Sequence, residues 1–226
     1  MRLPGSRRGA AVAFGDTPIA SRGTPWRAAR WCALDLELTG LDPRSNDIIA
    51  IGAVPIEDGR VLLGESYYTL VRTTKRSEHG AVLVHKLRVA DLEDAPPLDD
   101  AIELLFEVMA GSVPVFHTAW VERSFLRPLF ARRRVKLPTA ADTEVLGRLW
   151  LYERDGSAPA GVSLGGLARL LAQPAELPHH ALGDALTTAK AFIALASHLE
   201  TVKPQTVGSL TKADAQLSAV RRFDPG

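Results

Sequence analysis

The chain has 226 residues, 46% of them hydrophobic and 23% charged, with a net charge of +1. That balance suits a folded domain with its own core and excludes a disordered, collagen-like or low-complexity chain. No apolar run approaches the roughly 18 residues of a membrane span. The lone cysteine, Cys32, has no disulfide partner and no CxxC for zinc, which fits a reducing, cytoplasmic setting.

Residues 1–29 read as a basic flexible tail. Arg2, Arg7, Arg8, Arg22, Arg27 and Arg30 against Asp16 alone give the first thirty residues +5, leaving −4 on the rest. Such an arm suits either a nucleic-acid partner or plain solvation. Its Gly and Pro positions break an amphipathic transit helix, and no apolar h-region follows the charges. From Trp31 the pattern changes. Cys32–Leu38 is a short apolar run carrying Asp35 and Glu37, closed by the turn residues Thr39-Gly40-Leu41-Asp42-Pro43. Ile48–Val54 is continuously apolar, as in a strand buried on both faces. Asp58-Gly59 marks a tight turn and Val61–Val71 a third strand, antiparallel to the second.

Helical periods follow. Ile102, Leu105, Phe106 and Met109 form an apolar stripe behind the acids Asp99 and Asp100, and Gly111 ends it. Val113–Phe116 reads as a strand. Val121–Arg134 reads as a helix kinked at Pro128, which cannot bond the carbonyl of Ser124. Thr143–Trp150 and Ser163–Leu171 are two short helices joined by a loop at 155–161. Leu182, Ala185, Leu186, Ala189, Ile193 and Ala196 mark a last helix, and 200–226 reads as a polar tail. Strands first, then alternating elements, then helices imply one α/β domain, a mixed sheet opened by an antiparallel meander with helices on both faces.

Asp35 and Glu37 carry the chemistry. Residues i and i+2 of a strand share a face, so the two carboxylates project side by side. Such a pair costs free energy unless a cation sits between them, and hard ions such as Mg²⁺ or Mn²⁺ suit oxygen ligands. A bare DxE is more often a pair of exposed strand-edge acids, so the neighbourhood must decide.

Asp35-Leu36-Glu37-Leu38-Thr39-Gly40-Leu41, running on into Ile48–Ala53, resembles the first exonuclease motif of the DnaQ-like (DEDD) 3′–5′ exonuclease family. Phe116-His117-Thr118-Ala119-Trp120-Val121-Glu122 stands where that family has HNxxFD. His179-His180-Ala181-Leu182-Gly183-Asp184 matches its third motif, a His five residues before an Asp. Asp142-Thr143, the Ser163–Leu167 segment and His85, in the place of an HGI turn, resemble intervening elements. The resemblance covers residues 30–199 and is to the DEDDh branch, of the DNA polymerase III epsilon type.

That resemblance implies an RNase H-like fold and a 3′–5′ exonuclease releasing nucleoside 5′-monophosphates from a single-stranded DNA or RNA 3′ end. It implies Asp35, Glu37, Glu122 and Asp184 as ligands of two Mg²⁺ or Mn²⁺ ions, and His179 as general base, with His180 as its competitor. Leu38, Thr39 and Gly40 would cradle the terminal nucleotide, with His85 and His117 also on the substrate. A polymerase or another replication or repair protein is a possible partner; a membrane is not. Alternatives are a degenerate, non-catalytic nucleic-acid-binding subunit and an oligoribonuclease-like enzyme for short RNA.

One departure matters. Glu122 stands in place of the family's Asp, and Thr118 in place of its Asn. The extra methylene moves the carboxylate by about 1.5 Å, comparable with the tolerance of productive geometry. Asp142 is better read as a helix N-cap than as a substitute ligand. Gly161-Val162-Ser163-Leu164-Gly165 satisfies the GxSxG pattern of serine hydrolases, and Asp184 and His198 follow in the right order. The elbow needs a buried strand before the serine, and 155–160 is a loop, so Ser163 reads as a helix N-cap instead. Arg123, Arg127, Arg132, Arg133, Arg134 and Lys136 form a basic run suited either to phosphates or to a solvated helix face.

Overall fold

The computed structural model describes residues 9–78, 80, 81, 85–174, 176 and 178–223, with the backbone alone for 219–223. Five strands lie in the order β3-β2-β1-β5-β6, and β4 also pairs with β2, giving a six-stranded sheet. The strands are β1 (Trp31–Leu38), β2 (Ile48–Glu57), β3 (Arg60–Val61), β4 (Tyr67–Leu70), β5 (Val113–Phe116) and β6 (Ala141–Asp142). β2 pairs antiparallel with β1, β3 and β4, whereas β1, β5 and β6 run parallel. The expected third strand is in two pieces. Leu62 donates to the carbonyl of Pro55, but Pro55 has no N–H to return the bond, so the ladder stops and the chain passes through a short 3₁₀ turn before β4.

Alternation along β1 sorts its side chains between two cores. Cys32, Leu34, Leu36 and Leu38 face a core with α1 (Gly9–Asp16), α2 (Leu98–Met109) and α3 (Trp120–Arg132). Trp31 and Ala33 face the opposite core, with α4 (Thr143–Asp155), α5 (Leu164–Leu170) and the long α6 (Ala181–Val202). The sheet is therefore covered by helices on both faces, as its two-sided apolar strands require. α4 runs beyond its expected end at Trp150 because it meets no stop signal before Gly156, which takes the left-handed φ of 73° and donates to Tyr152 O. Pro128 lies inside α3 without ending it.

The two expected tails are corrected over their described parts. Ala10, Ala11 and Phe14 of α1 are buried, and the Phe14 ring lies 5.1 Å from Phe106 and 5.6 Å from Phe130. Trp26 is fully buried against Phe192. At the other end, α7 (Val207–Leu210) and α8 (Ala213–Phe223) follow α6, and Val207, Leu210, Ala213 and Leu217 are buried. The two ends clasp each other: Trp26 N donates to Gln205 O, Val207 N to Thr24 O and Gly208 N to Arg22 O. α1 spans eight residues and α7 four, so neither is long enough for a helical period to stand out. Arg2, Arg7 and Arg8 of the expected arm lie outside the described residues.

A test of this packing is Phe14→Ala, which is expected to cost about 3–5 kcal/mol in chemical denaturation, as for other buried aromatics. A solvated tail would show no change. Among the described residues no helix is long and apolar enough to cross a membrane.

Candidate active site, a carboxylate cluster between β1 and α6

The alternation that sends Leu34 and Leu36 to one core sends Asp35 and Glu37 to the α6 face. Asp35 pairs with Gly52 of β2, and Gly52 with Tyr68 of β4, so the three form one rung across the sheet. Gly52 is the contact point with α6: a Cβ there would lie 2.1 Å from the carbonyl oxygen of Ala181. Only a strand position without a side chain lets the first turn of α6 approach this closely. The approach brings Asp184 to the strand acids. Asp35, Glu37 and Asp184 each offer a carboxylate oxygen, all within 4.8 Å of one another.

Three carboxylates so close repel one another, and enclosure by protein denies them water. Burial, followed by Glu122, Glu37 and Asp184, holds Asp35 well above the usual carboxylate range. Burial and then Asp184 push Glu37 up to about 7. Asp184 is raised by burial, against the pull of the His179 amide and the two neighbouring histidines. The cluster therefore suits a hard divalent cation: it offers several oxygens and an excess negative charge that a cation would neutralise.

Glu122 stands beside this group and outside its 4.8 Å circle. It projects from the first turn of α3, is buried, and has an Oε2 without a hydrogen-bond partner among the described residues. Burial pushes its carboxyl up to about 8. The corner that presents it is held by Asp142, whose carboxylate accepts from the amides of Thr118 (3.1 Å), Ala119 (2.8 Å) and Glu144 (2.9 Å). Asp142 is thus the N-cap of α4 and also the clamp on the β5–α3 turn. Thr118 occupies a left-handed φ of 63°, comfortable for Asn and strained for a β-branched residue.

The third motif also resolves into distinct parts. His179 has a left-handed φ of 61°, and its amide donates to Asp184 Oδ2 at 2.8 Å. His180 is the N-cap of α6, its Nδ1 accepting from Gly183 N, and its ring stacks on Tyr68 at 4.6 Å. The cap and the stack engage His180, whereas the His179 ring carries neither contact. His85 is buried, and His179 together with burial lowers its pKa, burial being the larger cause. Its Nδ1 accepts from Leu87 N, which leaves the proton on Nε2, a buried donor without a partner among the described residues.

Other expected substrate contacts are turned inward. Leu38 packs in the α2 core. Thr39 is fully buried, its amide bonded to Asp47 O, its carbonyl to Glu78 N and its hydroxyl to Asn46 and the Asp47 amide. A Cβ at Gly40 would lie 2.1 Å from Glu78 Oε1, so this glycine makes room for Glu78. His117 bonds Thr143 Oγ1 at 2.9 Å, and its charged neighbour is Asp142 rather than the cluster. The GxSxG segment is not an elbow: Ser163 caps α5 by accepting from Gly166 N, and His198 stacks on Trp150.

Tyr68 is the neighbour of the site that no motif marks, and Gly52 and Asp142 take positioning roles there beyond their places in the motif and the helix cap. Gly52, a glycine inside an apolar strand run, was itself a signal of close approach. Burial, and after it the nearby Glu37, raises the Tyr68 phenol. No local pattern marks it, because its place depends on the β2–β4 register.

The family model for exonucleases, RNase_T, matches residues 32–192, spanning β1 to the middle of α6 and all four acids. The chain belongs to the exonuclease family. A DNA polymerase III subunit epsilon-like protein of Rhodobacter capsulatus is 31% identical over 211 residues, covering 92% of this chain and 28% of that relative. A PolC-type DNA polymerase III of Thermotoga petrophila is 29% identical, covering 73% of this chain and 12% of its own length. The exonuclease chain thus spans less than a third of either relative. Among solved structures, Exonuclease X in complex with 5′ overhanging duplex DNA superposes with a TM-score of 0.61 at 20% identity, covering 81% of this chain and 98% of that one. The nuclease domain of 3′hExo, a DEDDh family member bound to rAMP, gives 0.60 at 15% identity over the same shares. These likenesses establish the RNase H-like exonuclease fold.

Proposed function

We propose that this exonuclease-family domain hydrolyses phosphodiester bonds at the 3′ end of single-stranded DNA or RNA and releases nucleoside 5′-monophosphates. The observation that carries this reading is the cluster of Asp35, Glu37 and Asp184 within 4.8 Å, with its carboxyl groups pushed toward the protonated form. Such an arrangement is costly to maintain without a cation to hold. Asp35, Glu37 and Asp184 would hold Mg²⁺ or Mn²⁺, with Glu122 beside Asp35 serving the second ion of a pair. Bound there, two divalent ions polarise the phosphodiester, lower the pKa of water and offset the charge of the leaving oxygen.

The chain's own residues supply the rest. His179, tethered to Asp184 through its amide, takes the proton from the attacking water. The water oxygen bonds to phosphorus as the bond from phosphorus to the 3′-oxygen of the preceding nucleotide breaks. His85 offers its Nε2–H to the substrate, and Tyr68 braces His180 and with it the start of α6. The polymerase III relatives make a replicative polymerase a fitting partner, and the cytoplasm is the compartment this role implies.

The test is a time course on 5′-labelled single-stranded DNA and RNA in Mg²⁺, Mn²⁺ or EDTA. A ladder shortening from the 3′ end, present with metal and absent in EDTA, is the expected result, and the two substrates report the preferred sugar. Cleavage confined to the shortest RNA would mark an enzyme for short oligoribonucleotides. Binding without cleavage in either metal would overturn the enzyme reading in favour of a passive binding subunit. Because Glu122 stands outside the cluster, Mn²⁺ should support faster cleavage than Mg²⁺. Glu122→Asp, in a helix held at the same place, is expected to change the Mg²⁺ rate by about tenfold or more.

A further inference from the structure

The basic run after Glu122 is divided by the fold. Arg133 turns back onto α2, pairing with Asp99 at 2.6 Å and Glu103 at 3.0 Å. Arg123, Arg127, Arg134 and Lys136 instead line one groove of about 730 Å³, and no acid stands among its described lining residues. Arg127, Arg134 and Lys136 are exposed and have no ion-pair partner among the described residues. Arg123 is half-buried and donates to Pro138 O; burial and the nearby Arg127 both lower its pKa, as for cations crowded together without a counterion.

The backbone at Arg134 is the second observation. α3 ends in a Schellman motif: Arg134 N donates to Ala131 O and Val135 N to Phe130 O. The motif puts Arg134 at a left-handed φ of 60°, a position that favours glycine. An arginine is kept there at the expense of backbone strain, and the strained residue is one of the four groove cations. The groove also leads somewhere. It shares Arg123 and Thr139 with a second hollow of about 720 Å³ that reaches Thr118, Ala119 and Trp120 and that also carries Asp142, Glu144 and Asp214, of which Asp142 is taken up by the amides it caps. Trp120 is 62% exposed, and it shares a helical face with Arg123 and Arg127. That end of the hollow is the turn from which Glu122 enters the site.

We propose that Arg123, Arg127, Arg134 and Lys136 form a track for the internucleotide phosphates of a single-stranded nucleic acid, leading past Trp120 to the carboxylate site. The proposal rests on the exonuclease reading and extends it to the strand upstream of the reacting end. Four cations without an ion-pair partner among the described residues match a line of phosphates, and an exposed indole suits the face of any base, so the track holds a strand without reading its sequence.

The test uses the full chain in EDTA, where no cleavage occurs, and a 5′-labelled oligothymidylate of about twenty nucleotides, longer than a typical single-strand footprint. Anisotropy titrations between about 50 and 200 mM salt compare the wild type with Arg127→Ala/Arg134→Gly/Lys136→Ala. The slope of log affinity against log salt should flatten by about two, at about 0.7 per lost phosphate contact, with affinity down roughly ten- to hundredfold at the low-salt end. Arg134→Gly alone should bind more weakly while melting at or above the wild-type temperature, because glycine relieves the left-handed strain. That pairing separates a lost contact from a damaged fold. An unchanged slope would overturn the track, and so would equal competition by polyglutamate, which would mark a docking surface for acidic protein.

Hydrolysis of the p-nitrophenyl ester of thymidine 5′-monophosphate, which has no upstream phosphate, is measured separately in Mn²⁺. Its rate should be the same in the wild type and the triple variant. Failure of the wild type on this ester would count against the exonuclease reading, while the salt slope would still decide the track.

Discussion

Asp35→Asn is expected to reduce metal-dependent cleavage by about a thousandfold or more while making the metal-free protein more stable at pH 8. The two effects have one origin. Asp35 is the acid on which Glu122, Glu37 and Asp184 all bear, and its carboxylate is disfavoured by burial and by all three, so it is the member of the site best placed to share a cation. A carboxyl whose folded pKa is raised contributes its full stability below its ordinary pKa and loses it as the pH climbs through the folded value. Glu37 at about 7 and Glu122 at about 8 define that window. Metal-free wild type should therefore lose stability steadily from about pH 4.5 to pH 8, by several kcal/mol in all.

Removing the Asp35 charge shrinks this loss, so the variant should melt higher than the wild type in EDTA at pH 8 and differ little near pH 4.5. Added Mg²⁺ or Mn²⁺ should raise the wild-type melting temperature more at pH 8 than at pH 5.5, because binding at the lower pH must first displace protons. Thermal melts in EDTA and in metal at the two pH values check both statements. A melting temperature independent of pH and of metal would remove the electrostatic basis of the site.

Gly52→Ala is expected to damage activity from a position that touches no substrate. The added Cβ would meet the Ala181 carbonyl at 2.1 Å, and that contact is backbone, so α6 must move rather than a side chain rotate. Overpacking of this kind costs about 1–3 kcal/mol. The same movement carries Asp184 and His179 away from Asp35 and Glu37, and a displacement of about 1 Å is worth about a hundredfold in rate. Denaturation and cleavage rate measured on one preparation should show a modest stability loss beside a large loss of turnover. A rate that fell only in proportion to the folded fraction would mean that the β2–α6 contact does not position the site.

Much of the architecture follows from period alone. The two-residue repeat of Leu34, Asp35, Leu36 and Glu37 sorts acids from leucines whatever packs against them, because the pleat is a property of the strand. The apolar runs at 48–54 and 113–116, the stripe at 102–109 and the long stripe from 182 each belong to one element and are visible in it. Capping was equally local, since Asp142 and Ser163 act on amides within a few residues of themselves.

What escaped was set by surfaces that meet across the chain. Phe14 and Trp26 look like parts of a tail until Phe106, Phe130 and Phe192 surround them. Val207 and Leu210 look like parts of another until residues 22–26 pair with 205–208. Six basic residues between 123 and 136 are equivalent on paper. The fold sends Arg133 to Asp99 and Glu103, bends the backbone at Arg134, and leaves four of the six lining one groove.

By itself, then, the sequence determined the strand pair of acids, the order of the helices between residues 98 and 202 and the three motifs, since each is encoded within a short stretch of chain or its cap. Only the tertiary structure decided that Asp184 reaches Asp35 and Glu37, that Glu122 stands just beside them, and that Tyr68 and His180 close the edge of the site. Those outcomes depend on how near α6 can come to β2, and that distance is set by a side chain that Gly52 does not have.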